Sequence, residues 1–474
     1  MFKLISKLFR KQSQPPPLED TNEPELIEVS PEPDQLSVPE RLLSFHAART
    51  DGLGQRLKTM ATARLFAKRY DGNFTFSWKL RVGEHAIHHA IEPVEETFSK
   101  EYIDKFYSES PPDGKIIKFG DLTKILAKSA LTEKVSIIDP NVVLENKSTK
   151  SLLQEGTPGA FKEALYSIGF SKKATDAIKH AERLRDVGSS VAIHMRAGDV
   201  IYGNFRFTDR WITKIVPYRL ATILANESKK KGKMVFLFGQ DENIGKAIAE
   251  STGAMWVPDL YKNLDYSVLQ KALFEVTLMS KCAEIISGTS AFSEIAALAA
   301  EIPRTLPARY LENEGAQRVL TEQIDDKIED AASDMQKAFS FSSTAFWMLR
   351  DPNPDFDRVT DYIKHAISLE ETNGYYWLLL AIMHFRARDI GAAEDAISHI
   401  KPGKAPGQLS FVISRLHSDY SKYLKPLADT GSPWPSLILA FNPNLPIPER
   451  QAYARTAKGK LPLTKDLVVA LEAI

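Results

Sequence analysis

The sequence predicts an α/β protein built from two Rossmann-like, doubly wound units and followed by a helical tail. Three observations predict it. Over 189–300, short apolar runs alternate with helical stripes, the pattern of parallel strands joined by crossover helices. Over 42–78, a strand, a Gly-rich turn, a helix and a second strand follow one another. From about Ser340 the pattern becomes wholly helical, broken by Pro and Gly. The expected boundaries are 1–39, 40–188, 189–335 and 336–474.

At 474 residues the chain has room for roughly two to four domains. Its 43% hydrophobic fraction can supply their cores. Lys plus Arg and Asp plus Glu balance at 61 each, so no basic excess points to nucleic acid. The single cysteine, Cys282, excludes an intramolecular disulfide framework and a Cys-rich zinc site, and it fits a reducing cytosol. No apolar run approaches the roughly 20 residues of a membrane span, which argues against a transmembrane anchor.

Residues 1–11 sort Phe2, Leu4, Ile5, Leu8 and Phe9 onto one side of a helix and Lys3, Lys7, Arg10 and Lys11 onto the other. Such a basic amphipathic helix suits weak, reversible contact with an anionic surface, which would place the chain in the cytoplasm, peripheral to the inner membrane face. A frayed terminus without function fits the same residues. Residues 12–39 carry Pro among Asp and Glu with no Lys or Arg, the composition of a disordered linker.

The stretch 42–48 reads as a strand and runs into Arg49-Thr50-Asp51-Gly52-Leu53-Gly54-Gln55-Arg56. Leu57, Met60, Ala61, Leu65 and Ala67 then form a helical stripe, and Phe74, Phe76 and Trp78 alternate as a strand. Gly52 and Gly54 let backbone amides approach a ligand, and a helix N-terminus favours an anion. The spacing falls short of GxGxxG, and no acidic residue ends the second strand as a NAD site would need. Further strands are expected at 116–119 and 135–138, with mixed loops and helices over 80–115 and 140–188.

Val191, Ala192 and Ile193 form a buried strand that ends in His194-Met195-Arg196-Ala197-Gly198-Asp199. In open α/β sheets ligands bind at that carboxyl end. The planar fork of Arg196 suits a diphosphate, and Gly198 permits a sharp turn. A surface turn with Arg196 and Asp199 as a solvated ion pair fits the same six residues. Strands follow at 234–239, ending in Gln240-Asp241-Glu242, at 254–257, ending at Asp259, and at 284–287, running into Gly288-Thr289-Ser290-Ala291-Phe292-Ser293. Helices are expected through Lys231 and over 243–251, 265–281 and 294–300. The ends at Arg196, Asp241, Asp259 and Ser290 should open on one edge. In the tail, Trp377, Leu380, Ala381, Ala393 and Ile397, with Gly391 opening the second helix, fit one tetratricopeptide-like pair, and a plain helical cap fits equally.

DGLGQRL before a helix, HMRAGD after a strand and SGTSAFSEIAALAA at a later strand end occur in this order, and 41–307 resembles the fucosyltransferase superfamily. That group spans α1,2-, α1,6-, protein O- and nodulation fucosyltransferases. The resemblance implies a GT-B fold, two Rossmann-like domains facing a cleft, with acceptor contacts in the first and a nucleotide sugar, usually GDP-fucose, in the second. It implies inverting transfer without metal or cofactor to a glycan, a lipid-linked acceptor or another hydroxyl. Arg196 falls on the arginine of the donor β-phosphate and His194 on the histidine beside the donor. Ser290, Phe292 and Ser293, with Thr289 in the same turn, fall on the diphosphate turn, and Gly52 and Gly54 on the first Gly-rich turn. Glu275 falls where an acidic residue meets guanine; a solvated helix charge fits it nearly as well. Several members carry a second arginine where Ala197 stands, a part Arg56 or Arg206 could take. Asp199 and Asp241 are the candidate general bases by location, though a turn cap holding Arg196 fits Asp199 better. The rival readings are a same-fold transferase with another nucleotide-sugar donor and a non-catalytic scaffold whose tail binds a protein partner.

Overall fold

The structure, a computed structural model, describes residues 42–80, 91–117, 133–142, 159–203, 206, 209–311, 314–351, 354–400, 424–426, 428–442, 444–461 and 472. The expected membrane helix and acidic linker of 1–39 lie outside them. Arg41–Val412 forms one compact unit, and the described residues after it belong to another, drawn from Ile413–Ile474.

The first sheet unit runs β1 (Leu43–Ala47), α1 (Leu53–Arg69), β2 (Asn73–Phe76), α2 (Lys100–Phe106), β3 (Lys115–Ile117), β4 (Val135–Ile138), α3 (Ala160–Tyr166) and α4 (Lys172–Arg183). The second runs β5 (Val191–His194), α5 (Gly198–Ile201), α6 (Tyr218–Lys230), β6 (Val235–Phe238), α7 (Glu242–Thr252), β7 (Met255–Trp256), α8 (Val268–Ser280), β8 (Glu284–Ser287), α9 (Ala291–Ala300) and β9 (Arg304–Thr305). Every strand pair is parallel, in the orders β2-β1-β4-β3 and β7-β6-β5-β8-β9. The expected α/β class with two doubly wound units is therefore what the chain adopts. All strand ends of the second sheet, at Arg196, Gln240 and Ser290 among them, emerge on one edge.

The second sheet is buried on both faces, as an all-parallel sheet must be. Ala192, Phe236, Phe238 and Ile285 point into one apolar cluster. Val191, Ile193, Val235, Leu237 and Ile286 point into another, with α6 and α7. This alternation explains why the strands read as unbroken apolar runs. Trp256 fills the space that Gly245 leaves on α7, where an added Cβ would lie 2.4 Å from its ring. Pro258 follows at once and turns the chain into a 3-10 turn, Val257–Leu260, so β7 is shorter than the expected strand.

The stripe Leu57, Met60, Ala61, Leu65 and Ala67 on α1 is buried, as its spacing predicts. The periodicity missed the rest of the helix: Lys58, Thr59 and Thr62 are buried too, because α9 packs against α1. Lys58 Nζ meets Glu294 Oε2 at 2.7 Å, with 2% and 6% of the side chains exposed. A second seam joins α4 to α8. There the Lys281 ammonium caps the end of α4, taking the carbonyls of Ala181, Glu182 and Leu184. One apolar cluster consequently runs unbroken from Leu43 to Ala299, through both sheet units.

Past β9 the described residues form helices and turns. α10 (Asp334–Met348), α11 (Phe356–Leu369), α12 (Gly374–Ala387) and α13 (Ile390–Ser398) pack each on the next, inside the same compact unit as the sheets. α12 and α13 are the expected pair, with Trp377 stacked on His399 at 4.2 Å. Nothing in this packing identifies a tetratricopeptide repeat. In the second unit, Pro433–Ala440 packs on Ile447–Lys460. Among the described residues no helix is long and apolar enough to cross a membrane.

Breaking the Lys58–Glu294 pair from one side leaves a buried charge. Lys58→Met should lower unfolding stability by about 3–5 kcal/mol, and Lys58→Met with Glu294→Met should recover more than half of that loss. Urea denaturation of the variants measures both; equal stability of the single and double variants would contradict the pairing.

Candidate functional site

The carboxyl ends of β5 and β8 and the first turns of α1 and α9 meet at one place. α1 starts at Gly52, whose carbonyl takes the amides of Gln55 and Arg56. α9 starts at Ala291, with Ser290 as its N-cap, three residues earlier than the sequence pattern suggested, so Phe292 and Ser293 lie on the first helical turn rather than in a loop. Gly54 touches that turn: a Cβ there would stand 2.7 Å from the backbone N and Cα of Phe292. Only glycine lets the two helix starts come this close. Each start carries a partial positive charge from its unpaired amides, so the two ends repel one another and together favour an anion.

His194 ends β5 and is 7% exposed, with its ring 5.6 Å from that of Phe292. Its Nδ1 and the Oγ of Ser290, a residue 1% exposed, are buried without a hydrogen-bond partner among the described residues. Burial, with the nearby charges of Arg196 and Arg304, pushes the His194 imidazole down to about 3, so it is neutral at physiological pH. Arg196 is half-buried and holds a left-handed backbone, φ 37°. Non-glycine residues enter that region at a cost, and such strain collects at functional sites. Gly198, at φ 23°, lies under the Gln240 side chain, where a Cβ would overlap Gln240 Oε1.

The Thr289 turn is held from outside. The Thr289 amide donates to the Thr213 carbonyl at 2.8 Å, and their hydroxyls are 3.2 Å apart. Gly288 packs on the backbone of Lys214, where a Cβ would stand 2.0 Å from the carbonyl carbon. Ser293 is a strut: its Oγ donates to the Ser290 carbonyl and accepts from Ser287 Oγ at 2.8 Å.

Arg304 was not anticipated. It lies on β9 and its Nη1 donates to the Ser290 carbonyl at 3.1 Å. The two arginines that could stand in for a second site cation have these partners. Arg56 is 2% exposed, donates to the carbonyls of Asp51 and Lys79 at 2.7 Å, and lies over Trp78. Arg206 is ion-paired with Glu370 at 2.6 Å. Ala197 is buried and lines a small pocket with Met195, Ile201 and Tyr218 and with the polar Gln240, Asp241 and Gln336.

Asp241 lies at the end of β6, on the side of β5 away from β8. It caps α7 at Ile244 and accepts from Tyr202 and, at 3.0 Å, from Gln336. These bonds fix the carboxylate at the start of α7. The side chain of Asp199 lies outside the described residues. Glu275 sits mid-helix on α8, where burial pushes its carboxyl up to about 7 and the Tyr261 hydroxyl donates to it at 2.5 Å. It is not a solvated charge. Sequence reasoning missed Arg304, Lys58, Thr213 and Lys214. None belongs to a local motif, and Lys58 stands among other polar residues of its helix. Among the described residues no three His, Cys, Asp or Glu side chains gather as a metal site requires.

Comparison with family models and with curated proteins finds no match. Among solved structures the chain resembles the fucosyltransferase NodZ from Bradyrhizobium, at 15% identity and TM-score 0.36, over 54% of this chain and 92% of that one. It resembles POFUT1 in complex with GDP-fucose at 12% identity and TM-score 0.30, over 57% and 98%. It resembles a mutant of Arabidopsis thaliana FUT1 in complex with GDP at 13% identity and TM-score 0.31, over 56% and 70%. The likeness is loose, and the functional reading rests on the residues of the site.

The buried imidazole has a measurable signature. Its folded pKa lies below its unfolded one, so the unfolded chain binds the proton first and stability falls as pH drops from 6.5 toward 3. His194 alone should remove about 4 kcal/mol by pH 3. His46, held near 4 by burial, adds to the same slope. Replacing His194→Gln should flatten the acid limb of stability against pH, whatever it does to the plateau, as followed by urea denaturation between pH 7 and 4. An unchanged slope would contradict a neutral buried His194.

Proposed function

We propose that the chain is a glycosyltransferase of the fucosyltransferase-like kind. It transfers fucose from GDP-fucose to a hydroxyl of a glycan or lipid-linked acceptor, with inversion and without a metal. One observation carries the reading: two helix starts are pressed together beside Arg196, Arg304, the lone His194 Nδ1 and the lone Ser290 Oγ, at the ligand-binding edge of a parallel sheet. A diphosphate supplies the anion such a place lacks. In the reaction, the bond from sugar C1 to the diphosphate oxygen stretches toward an oxocarbenium-like state, and negative charge gathers on the leaving group. Arg196 and the first amides of α9 stabilise that charge where it grows, without having to reorganise. Arg304 holds the turn through the Ser290 carbonyl and adds a second positive field. His194 stays neutral and donates or accepts one hydrogen bond beside the donor. The acceptor enters from the side of the first sheet.

Thermal-shift measurements with GDP, UDP and CDP test the donor. GDP should raise the melting temperature and the other two should not; stabilisation by UDP alone would replace fucose with another sugar, and none by any of the three would favour a non-catalytic scaffold. Arg196→Ala should lower turnover by about 10²-fold with the fold intact. Unchanged turnover in that variant would remove Arg196 from the mechanism.

A further inference from the structure

The described residues of the chain from Arg196 to Lys214 touch the site at two places. At the outgoing end, Arg196 and Gly198 lead into α5, and Tyr202 follows. The Tyr202 hydroxyl donates to Asp241, while Gln336 Nε2, on α10, donates to the same carboxylate oxygen at 3.0 Å. At the returning end, the Thr213 carbonyl and the Lys214 backbone carry the Thr289 amide and Gly288. Between these ends lies Arg206. Its Nη1 donates to the Gly203 carbonyl at 2.8 Å, and its Nε donates to Glu370 Oε1 at 2.6 Å.

Glu370 belongs to the helical tail, at the end of α11. Its other oxygen accepts from Asn373 Nδ2 at 3.1 Å and from the Tyr376 hydroxyl at 3.2 Å. Asn373 caps α12, and both residues are buried, at 0% and 1% exposed. The ion pair is buried as well, with 15% and 8% of its side chains exposed. Such a pair contributes little net stability, since desolvation offsets the attraction, but it has one geometry and resists sliding. An apolar contact would hold the same helices without fixing the loop.

We propose that Arg206 and Glu370 are positioning residues: their ion pair pins the loop to the tail and so sets Arg196 at one end and the Thr289–Ser290 turn at the other. The tail is then part of the donor site rather than an appended partner module. This rests on reading 194–196 and 288–292 as the donor site.

The test has one readout that does not depend on that reading. In full-length Glu370→Gln, which keeps side-chain size and removes the charge, backbone amides at 198–203 and 288–290 should exchange hydrogen about tenfold faster, with the first sheet unchanged. The reversed pair, Arg206→Glu with Glu370→Arg, should bring exchange back toward the parent. Unchanged exchange in the single variant overturns the proposal, as does acceleration spread evenly over the whole unit. The second readout is GDP affinity by calorimetry. Glu370→Gln should weaken it about tenfold in the parent and by clearly less in an Arg196→Ala background, because part of the loss runs through Arg196. Equal weakening in both backgrounds overturns the route through Arg196. If the parent binds none of GDP, UDP and CDP, the donor reading fails, and the exchange pattern still decides the tether.

Discussion

Two positively polarised helix ends are held against each other at Gly54 and Phe292, and the rest of the site depends on that contact. Left alone, such ends would drift apart or fill with water. They are kept together one turn further along, where Lys58 and Glu294 pair in a dry seam, and by an apolar core that does not stop between the two sheets. Packing thus works against electrostatics at the helix starts, and the misfit is concentrated where β5 and β8 end. The unsatisfied His194 Nδ1 and Ser290 Oγ and the left-handed backbone of Arg196 fall in that same small region. Local agreement elsewhere and local conflict here is the distribution expected of a functional site.

The two cations at the edge come from different sources. Arg196 follows a strand in the middle of the sheet, and Arg304 begins the work of a strand at its margin. They bracket His194 and the start of α9. A neutral imidazole between two guanidinium groups is the cheaper arrangement, since a third positive charge would be both desolvated and repelled.

Most of the fold was legible because it is local. Val191–His194, Val235–Phe238 and Glu284–Ser287 announce themselves as apolar runs bounded by polar turns, and the structure places strands within a residue or so of each. The glycine turn at Gly52 and Gly54 was legible for the same reason. The start of α9 was misjudged because Ala291, Phe292 and Ser293 fit a turn as well as a helix, and only the Ser290 backbone settles it. What could not be read is pairing across long separations. Lys58 and Glu294 look like ordinary helix charges until α1 and α9 meet. Arg304 has no motif around it, and Gly288 gains its meaning only from the Lys214 backbone. Asp241 is a further case: its strand end was legible, whereas the bonds that it accepts from Tyr202 and Gln336 were not.

The unbroken core has a kinetic consequence. A bilobed protein usually admits and releases its ligand by swinging one lobe about a hinge. Here that swing would flood the Lys58–Glu294 seam and peel α1 from α9, exposing a buried ion pair together with the apolar side chains around it. Parting the two sheets therefore carries the cost of both.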